Sequence, residues 1–354
     1  MSGQVNIVGT GLLGTSLGLA LARHGDKPGL EDQSKANLRL AIEYGAGVEA
    51  HAEPELVVVC VPPDMTAEVV AQQLEKHSSA IVCDVASVKS SIAKQVRELA
   101  GSEASRYVGL HPMAGREKGG PGSARADLFF ARPWVITPSE ENTQVAIDLV
   151  RELGMKIGAL PIVMSAKEHD KAVALVSHLP QLVSSALAAR VLEGQDDELA
   201  LTGQGLRDTA RVASSDPELW MQILSQNAEL ISPLLSALKE DIEELEASFA
   251  DIAASGALAK IHGLLDRGNR GVARIPGKHG GKYVDYQQLT VVIDDTPGAL
   301  ASLLTFIGEI GVNLEDIKLE HSPGAQIGLV ELQVMPEAAG RLADKLTENG
   351  WRMV

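Results

Sequence analysis

Four side chains stand where chemistry is possible. His111 follows the apolar run RYVGL and opens HPMAGREKGG, residues 111–120. Imidazole titrates near neutrality, so a histidine at the end of a buried strand can take or return a proton; it can also simply bond a backbone carbonyl. Ser87 ends a second apolar run, SSAIVCDVAS, and offers a hydroxyl in a matching position. Arg207 and Arg211 lie four residues apart in LTGQGLRDTARVASSDPELW. On a helix they share a face and repel by a few tenths of a kcal/mol. An anion beside them relieves that repulsion, and Asp208 can neutralise one of them; the plainer reading, a solvated basic stripe, loses ground because the small apolar neighbours Leu206, Ala210, Val212 and Ala213 are expected to enclose them.

These groups need a frame. The chain opens with VNIVGTGLLGTSLGLALARHG, a strand, the spacing Gly9, Gly11, Gly14, and an amphipathic helix that ends at Gly25. Gly9 permits the tight turn, Gly11 lets a pyrophosphate approach the backbone, and Gly14 lets helix and strand pack closely. Leu12 and Leu13 open the helix whose amides face the phosphates. Asp32, in GLEDQS, stands at the distance of an acid that binds the ribose hydroxyls, which favours NAD; Lys35 and Arg39 keep NADP in view. The run ELVVVCVPP, ending at Val61 and Pro62, and the runs that end at Ser87 and His111 alternate with helices. That alternation predicts a doubly wound, Rossmann-like parallel sheet over residues 1–160, with Pro62, Ser87 and His111 at the strand ends, where such sheets bind ligands. His111 then falls on the nicotinamide side.

From residue 161 to 270 the strand signals vanish, which predicts an all-helical domain for substrate binding and dimerisation. AKEHDKAVALVSHLPQLVSSALAARVLEG reads as one long helix kinked at Pro180, with Asp170, Ala174, His178 and Gln181 on one face. Asp216 and Pro217 read as the N-cap and first position of a further helix. Long apolar helices of this kind bury against a partner, so a homodimer is expected. Residues 271–285 are glycine-rich and basic, a linker by composition. Residues 286–354 read β-α-β-β-α-β, a ferredoxin-like α+β module in which Asp295, Pro297 and Gly298 set a helix N-terminus for an anion or amino acid.

Composition limits the partners. A net charge of −16 and 3% aromatics disfavour nucleic acid and anionic membranes. Cys60 and Cys83 lie in apolar runs and are expected as buried thiols, and no metal site is read. No apolar run of membrane-spanning length is read and no leader is recognised, so a cytoplasmic protein is expected.

VGTGLLGTSLGLAL, DVASVK, HPMAGRE, HDKAVALVSHLP and RDTARVASSDPELW together resemble the prephenate dehydrogenases, and DDTPGAL resembles an ACT domain, a small regulatory fold. The resemblance implies oxidative decarboxylation of prephenate to 4-hydroxyphenylpyruvate with NAD, in tyrosine biosynthesis. It implies His111 as acceptor for the C4 hydroxyl, Ser87 as its orienting partner, and Arg211 as the carboxylate ligand. It also implies His178 in the substrate pocket, Glu117 and Asp208 either as gating positions or as supports behind the substrate ligands, and tyrosine as effector. Gln181 stands where many relatives carry histidine, and Arg116 where many carry a small hydroxyl residue; Gln181 leaves arogenate open as the substrate. A β-hydroxyacid dehydrogenase would use a helix lysine, for which Lys171 lacks the motif. A non-enzymatic NAD and amino-acid sensor would not need His111, Ser87 and Arg211 together.

Overall fold

The structure, a computed structural model, describes residues 4–116, 118–276, 286–321 and 327–354. Its N-terminal strands are β1 (Val5–Val8), β2 (Gly29–Glu31), β3 (Val48–Glu49), β4 (Leu56–Val59), β5 (Ile81–Asp84), β6 (Tyr107–Pro112), β7 (Pro133–Thr137) and β8 (Leu160–Val163). They lie side by side in the order β3-β2-β1-β4-β5-β6-β7-β8. The strand order reverses between β1 and β4, and that reversal opens the crevice in which open α/β sheets bind ligands. Helices α1 (Leu12–Arg23), α2 (Lys35–Glu43), α3 (Thr66–Lys76), α4 (Ser90–Ala100) and α5 (Gln144–Lys156) alternate with the strands.

Successive strand residues point to opposite faces, and the core divides accordingly. Ile7, Leu56 and Val58 join one buried cluster; Val8, Val57 and Val59 join the other. Both faces are covered, which is why these strands carry unbroken apolar runs instead of alternation. The expectation of a wholly parallel sheet needs one correction. Strands β1 to β6 are parallel, but β7 runs antiparallel to β6, and β8 follows β7. Among the described residues, the chain between β6 and β7 holds only a one-turn 3-10 helix, Pro121–Ser123, and with no crossover helix among them it returns in the opposite direction.

The helical part begins at α6 (Ala166–Val173), capped by a reciprocal Ser165–Glu168 pair. A π turn, Ala174–His178, leads into α7 (Leu179–Arg190). The expected kink at Pro180 therefore takes the form of a widened turn just before the proline. The ring cannot donate to the carbonyl four residues back and crowds it, and an extra residue in the turn relieves both. The continuous run Ala166–Glu193 is long and apolar enough to cross a membrane by length and composition alone, contrary to the expectation that no run is. Its buried face nevertheless carries His169, Asp170, His178, Gln181 and Ser184, each bonded within the protein. Helices α8 (Asp196–Leu199), α9 (Gln204–Arg211), α10 (Pro217–Gln226) and α11 (Ala228–Ala250) follow. Asp216 caps α10 by accepting from the Glu218 amide at 2.9 Å, with Pro217 at the first helical position.

The chain forms two compact units, residues 1–240 and 241–354, so the helical region is shared between them. In the second unit the end of α11 is tied to α12 (Ala257–Val272) by Asp241–Arg267 at 2.5 Å. Helix α12 runs through Gly268 and Gly271, where the linker was expected to begin, and residues 277–285 lie outside the described residues. Beyond them come β9 (Gln287–Asp294), α13 (Ala299–Ile310), β10 (Asp316–His321), β11 (Ile327–Val334), α14 (Pro336–Glu348) and β12 (Arg352–Met353). The four strands form an antiparallel sheet in the order β10-β11-β9-β12, closed over a core that includes Val291, Leu303, Val330, Leu332 and Leu342.

Candidate active site

The glycine loop after β1 shows three different uses of a missing side chain. Gly9 has φ +96°, and a Cβ there would lie 2.5 Å from the Cys60 carbonyl oxygen. A Cβ on Gly14 would lie 1.9 Å from the Gly9 carbonyl oxygen, so α1 packs on the turn only without one. A Cβ on Gly11 would meet nothing within 4 Å beyond its chain neighbours, which leaves room above the first turn of α1. That turn has no side-chain cap, so its amides remain for a phosphate. Leu12 and Leu13 are half-buried beside this space. Asp32 follows β2 with its carboxylate fixed: Oδ2 accepts from the amide and hydroxyl of Thr10 at 2.6 and 2.7 Å, and Oδ1 from the Ser34 amide at 2.7 Å. Val61 and Pro62 sit past β4, the strand beside β1. Arg39, the candidate partner of a 2′-phosphate, pairs instead with Glu43. This cradle fits a dinucleotide with a free ribose diol.

His111 is buried on β6, its Nδ1 2.8 Å from Nε2 of His169 on α6. Nδ1 of His169 is 2.8 Å from Oδ1 of Asp170. Asp170 also accepts the backbone N–H groups of Lys89 and Ser90, each at 2.8 Å, at the start of α4. Burial works to raise the Asp170 pKa, but the bonds from His169, Ser90 and Lys89 outweigh it and hold the carboxyl below its ordinary value. Burial, with His169, Lys89 and His178 nearby, pushes His111 well below the usual imidazole range against the pull of Asp170. His111 is therefore held toward its neutral form. Ser87 is partly buried in the loop after β5, the strand beside β6. Two residues on, fully buried Lys89 bonds Asp84 Oδ1 at 2.5 Å and the Leu110 carbonyl at 2.7 Å, while Tyr107 donates to Asp84 Oδ2 at 2.7 Å.

His178 and Gln181 are buried on the same side of the long helix. Asn227 donates through Nδ2 to His178 Nδ1 at 3.1 Å and to the Asp170 carbonyl at 2.9 Å. Trp220 meets the His178 ring edge-on at 6.1 Å. Gln181 donates to the Ser215 hydroxyl at 2.7 Å, and both line a mostly apolar cleft of about 780 Å³ with Trp220 and Leu224. Arg207, Asp208 and Arg211 do not join this cluster. They lie on the exposed surface of α9, which is tied to α7 by Ser184 bonding the Thr209 carbonyl at 2.6 Å. Exposure overturns the expectation that small apolar neighbours enclose the arginines, because no residue of this short helix is buried. Asp208 accepts from Gln204 rather than neutralising an arginine. Arg116 is exposed and bonds the Ser123 carbonyl; Glu117 lies outside the described residues. Asp295 and Pro297 sit in the turn after β9, and Gly298, at φ +91°, starts α13.

Residues 17–163 match the family model described as prephenate dehydrogenase, nucleotide-binding domain, and residues 165–261 the one described as prephenate dehydrogenase, dimerization domain. The Probable prephenate dehydrogenase NovF of Streptomyces niveus is 34% identical over 98% of both chains. The chain belongs to the prephenate dehydrogenase family. It is an NAD-dependent dehydrogenase of that family. Synechocystis arogenate dehydrogenase superposes with a TM-score of 0.63 at 27% identity, covering 76% of this chain and 98% of that one. The Aquifex aeolicus prephenate dehydrogenase solved with hydroxyphenyl propionate and NAD+ has the same fold, with a TM-score of 0.66 at 24% identity and coverage of 76% and 98%.

Within this prephenate dehydrogenase fold, sequence reading missed His169, Lys89, Asn227 and Trp220 and took Asp170 only as part of a helix face. Two signals were available. His169 adjoins Asp170, and Lys89 is a lone cation two residues after Ser87 in an apolar stretch.

Proposed function

We propose that the protein oxidises prephenate to 4-hydroxyphenylpyruvate and carbon dioxide. NAD, held by the cradle of Gly9, Gly11, Gly14 and Asp32, accepts the hydride from C4. His111 takes the proton from the C4 hydroxyl, with Ser87 orienting that hydroxyl. Loss of the ring carboxylate as carbon dioxide leaves its bonding electrons in the ring, which becomes aromatic, and His111 returns the proton to the phenolate oxygen. Arg211, assisted by Arg207, binds a substrate carboxylate; His178 lines the pocket, and Gln181 faces the substrate side chain. Glu117 and Asp208 serve as gating positions or as supports behind the substrate ligands. The observation that carries this reading is His111, buried near the carboxyl end of β6 and 2.8 Å from His169, in the sheet that carries the glycine cradle.

Gln181 supports a second reading. Its amide, anchored to Ser215, can bond either a keto group or an ammonium group. Arogenate in place of prephenate would then give tyrosine directly. Following NADH formation with each substrate tests both readings, and absence of NADH with either refutes them together.

The C-terminal β-α-β-β-α-β unit is proposed as an ACT-like module that binds tyrosine at the turn of Asp295, Pro297 and Gly298 and lowers activity. Support comes from the uncapped start of α13. The family description of residues 165–261 supports a homodimer. Calorimetry of tyrosine on the intact chain, with activity followed in parallel, tests the regulatory role; no heat up to the solubility limit overturns it.

A further inference from the structure

A proton count along the chain His111–His169–Asp170 decides which nitrogen of His111 is the base. Asp170 is ionised and can only accept; Oδ1 already takes the Lys89 amide and Oδ2 the Ser90 amide. His169 Nδ1, 2.8 Å from Oδ1, must therefore carry a proton and donate it. With that one ring proton on Nδ1, His169 leaves Nε2 bare, and at 2.8 Å from His111 Nδ1 a bare Nε2 can only accept. His111 consequently carries its proton on Nδ1 and is bare on Nε2.

We propose that His169 is a positioning residue for catalysis: it locks His111 in the Nδ1-protonated tautomer so that the Nε2 lone pair receives the substrate proton, with Asp170 as the anchor. The proposal rests on the reading of His111 as the base. Without His169, nothing among the described residues bonds His111 Nδ1, and the Nε2-protonated form, which cannot accept at Nε2, becomes available. The anchor has a second consequence. By accepting the Lys89 and Ser90 amides, Asp170 holds the start of α4 and with it the loop carrying Ser87. The positive end of the α4 dipole stabilises the carboxylate there. Base and orienting hydroxyl are thereby referred to one carboxylate.

Two variants separate placement from bulk. In His169→Leu the acceptor is gone. In His169→Gln, amide Oε1 can accept from His111 while Nε2 donates to Asp170, at nearly the spacing of the two ring nitrogens. His169→Leu is expected to lower kcat for prephenate oxidation by about 10²–10⁴-fold, the range for a lost or wrongly tautomeric base, with substrate KM and NAD affinity nearly unchanged. His169→Gln is expected to return to within about tenfold of the original kcat. Nitrogen-15 spectra of histidine-labelled protein read the tautomer directly and need no turnover. In the unaltered chain His111 should show a protonated Nδ1 and a bare Nε2. A bare Nδ1 in the unaltered chain, wild-type kcat in His169→Leu, or an equal loss in both variants would overturn the proposal. If His169→Leu fails to fold, the spectrum and His169→Gln decide. Because the spectrum is independent of substrate, failure of this inference is distinguishable from failure of the prephenate assignment.

Discussion

His178 ties the stability of the helical region to pH, and the size of the effect follows from its surroundings. Its ring is buried, Nδ1 accepts from Asn227, and burial together with His169 brings its pKa down to about 4 against the pull of Asp170. A proton on Nδ1 would face the Asn227 amide hydrogens, so the folded chain resists protonation while the unfolded chain takes a proton near the ordinary 6.5. The folded pKa is the depressed one. Its contribution is therefore fully present above pH 6.5, is lost as pH falls toward about 4, and declines no further below that. At about 1.4 kcal/mol per pH unit the whole window corresponds to about 3.5 kcal/mol, of which about 2 kcal/mol is lost between pH 7 and pH 5. The assay is urea unfolding at the two pH values for the original chain and for His178→Gln, which keeps an acceptor for Asn227 but cannot titrate. The original chain should lose about 2 kcal/mol more than the variant on going to pH 5. Equal losses in the two proteins would refute the assignment of a neutral, proton-resisting His178.

The remaining expectations concern cofactor, base and substrate. His111→Asn should lower kcat by about 10²–10⁴-fold with NAD binding unchanged by titration. In the original enzyme, kcat/KM should hold below pH 6.5, because the depressed His111 stays neutral there; an acid limb centred above that value would contradict it. Gly14→Ala places a Cβ where the Gly9 oxygen stands 1.9 Å away, so α1 must move. It should weaken NAD at least about tenfold in a binding titration, and lower stability by about 1–3 kcal/mol. Asp32→Ala should weaken NAD and narrow its margin over NADP, as measured by KM for each; a native preference for NADP would contradict the ribose role. Arg211→Ala should raise substrate KM by the roughly 1.5–3 kcal/mol of a charged hydrogen bond and leave kcat less affected.

What the sequence made legible follows from how local each cause is. The glycine loop was readable because a tight turn, a phosphate approach and a helix–strand contact each demand glycine at one spacing. His111 was readable because alternating strands and helices fix which strand ends share an edge of the sheet. The direction of β7 was not, because PWVIT pairs equally well either way, and its reversal goes with the lack of a crossover helix among the described residues before it. His169 was not readable as a partner of His111. The two are 58 residues apart, and a buried histidine on an apolar helix looks like ordinary core. The exposure of Arg207 and Arg211 was misread because apolar neighbours along a helix do not imply cover when the helix is two turns long and on the surface.

The network beneath His111 has its own logic. Replacing a buried ion pair with apolar residues is often neutral or stabilising, so Asp84–Lys89 is poor evidence of a stability device. Burial lowers the Lys89 pKa against the pull of Asp84, so the ammonium is held at some expense of solvation. Placement gives it a function. Through Nζ, Lys89 holds the Leu110 carbonyl, one residue before His111, the proposed base; through its amide it meets Asp170, the anchor of His169. One residue thus grips the strand that carries His111, the loop that carries Ser87 and the helix that carries His169, from three separate parts of the chain. A hydrophobic contact could hold these parts together, but it is non-directional and would leave their rotation free. Hydrogen bonds of fixed direction remove that freedom, and a base must meet its proton within about 3 Å. The costly group is retained where orientation, rather than cohesion, is what the packing cannot provide.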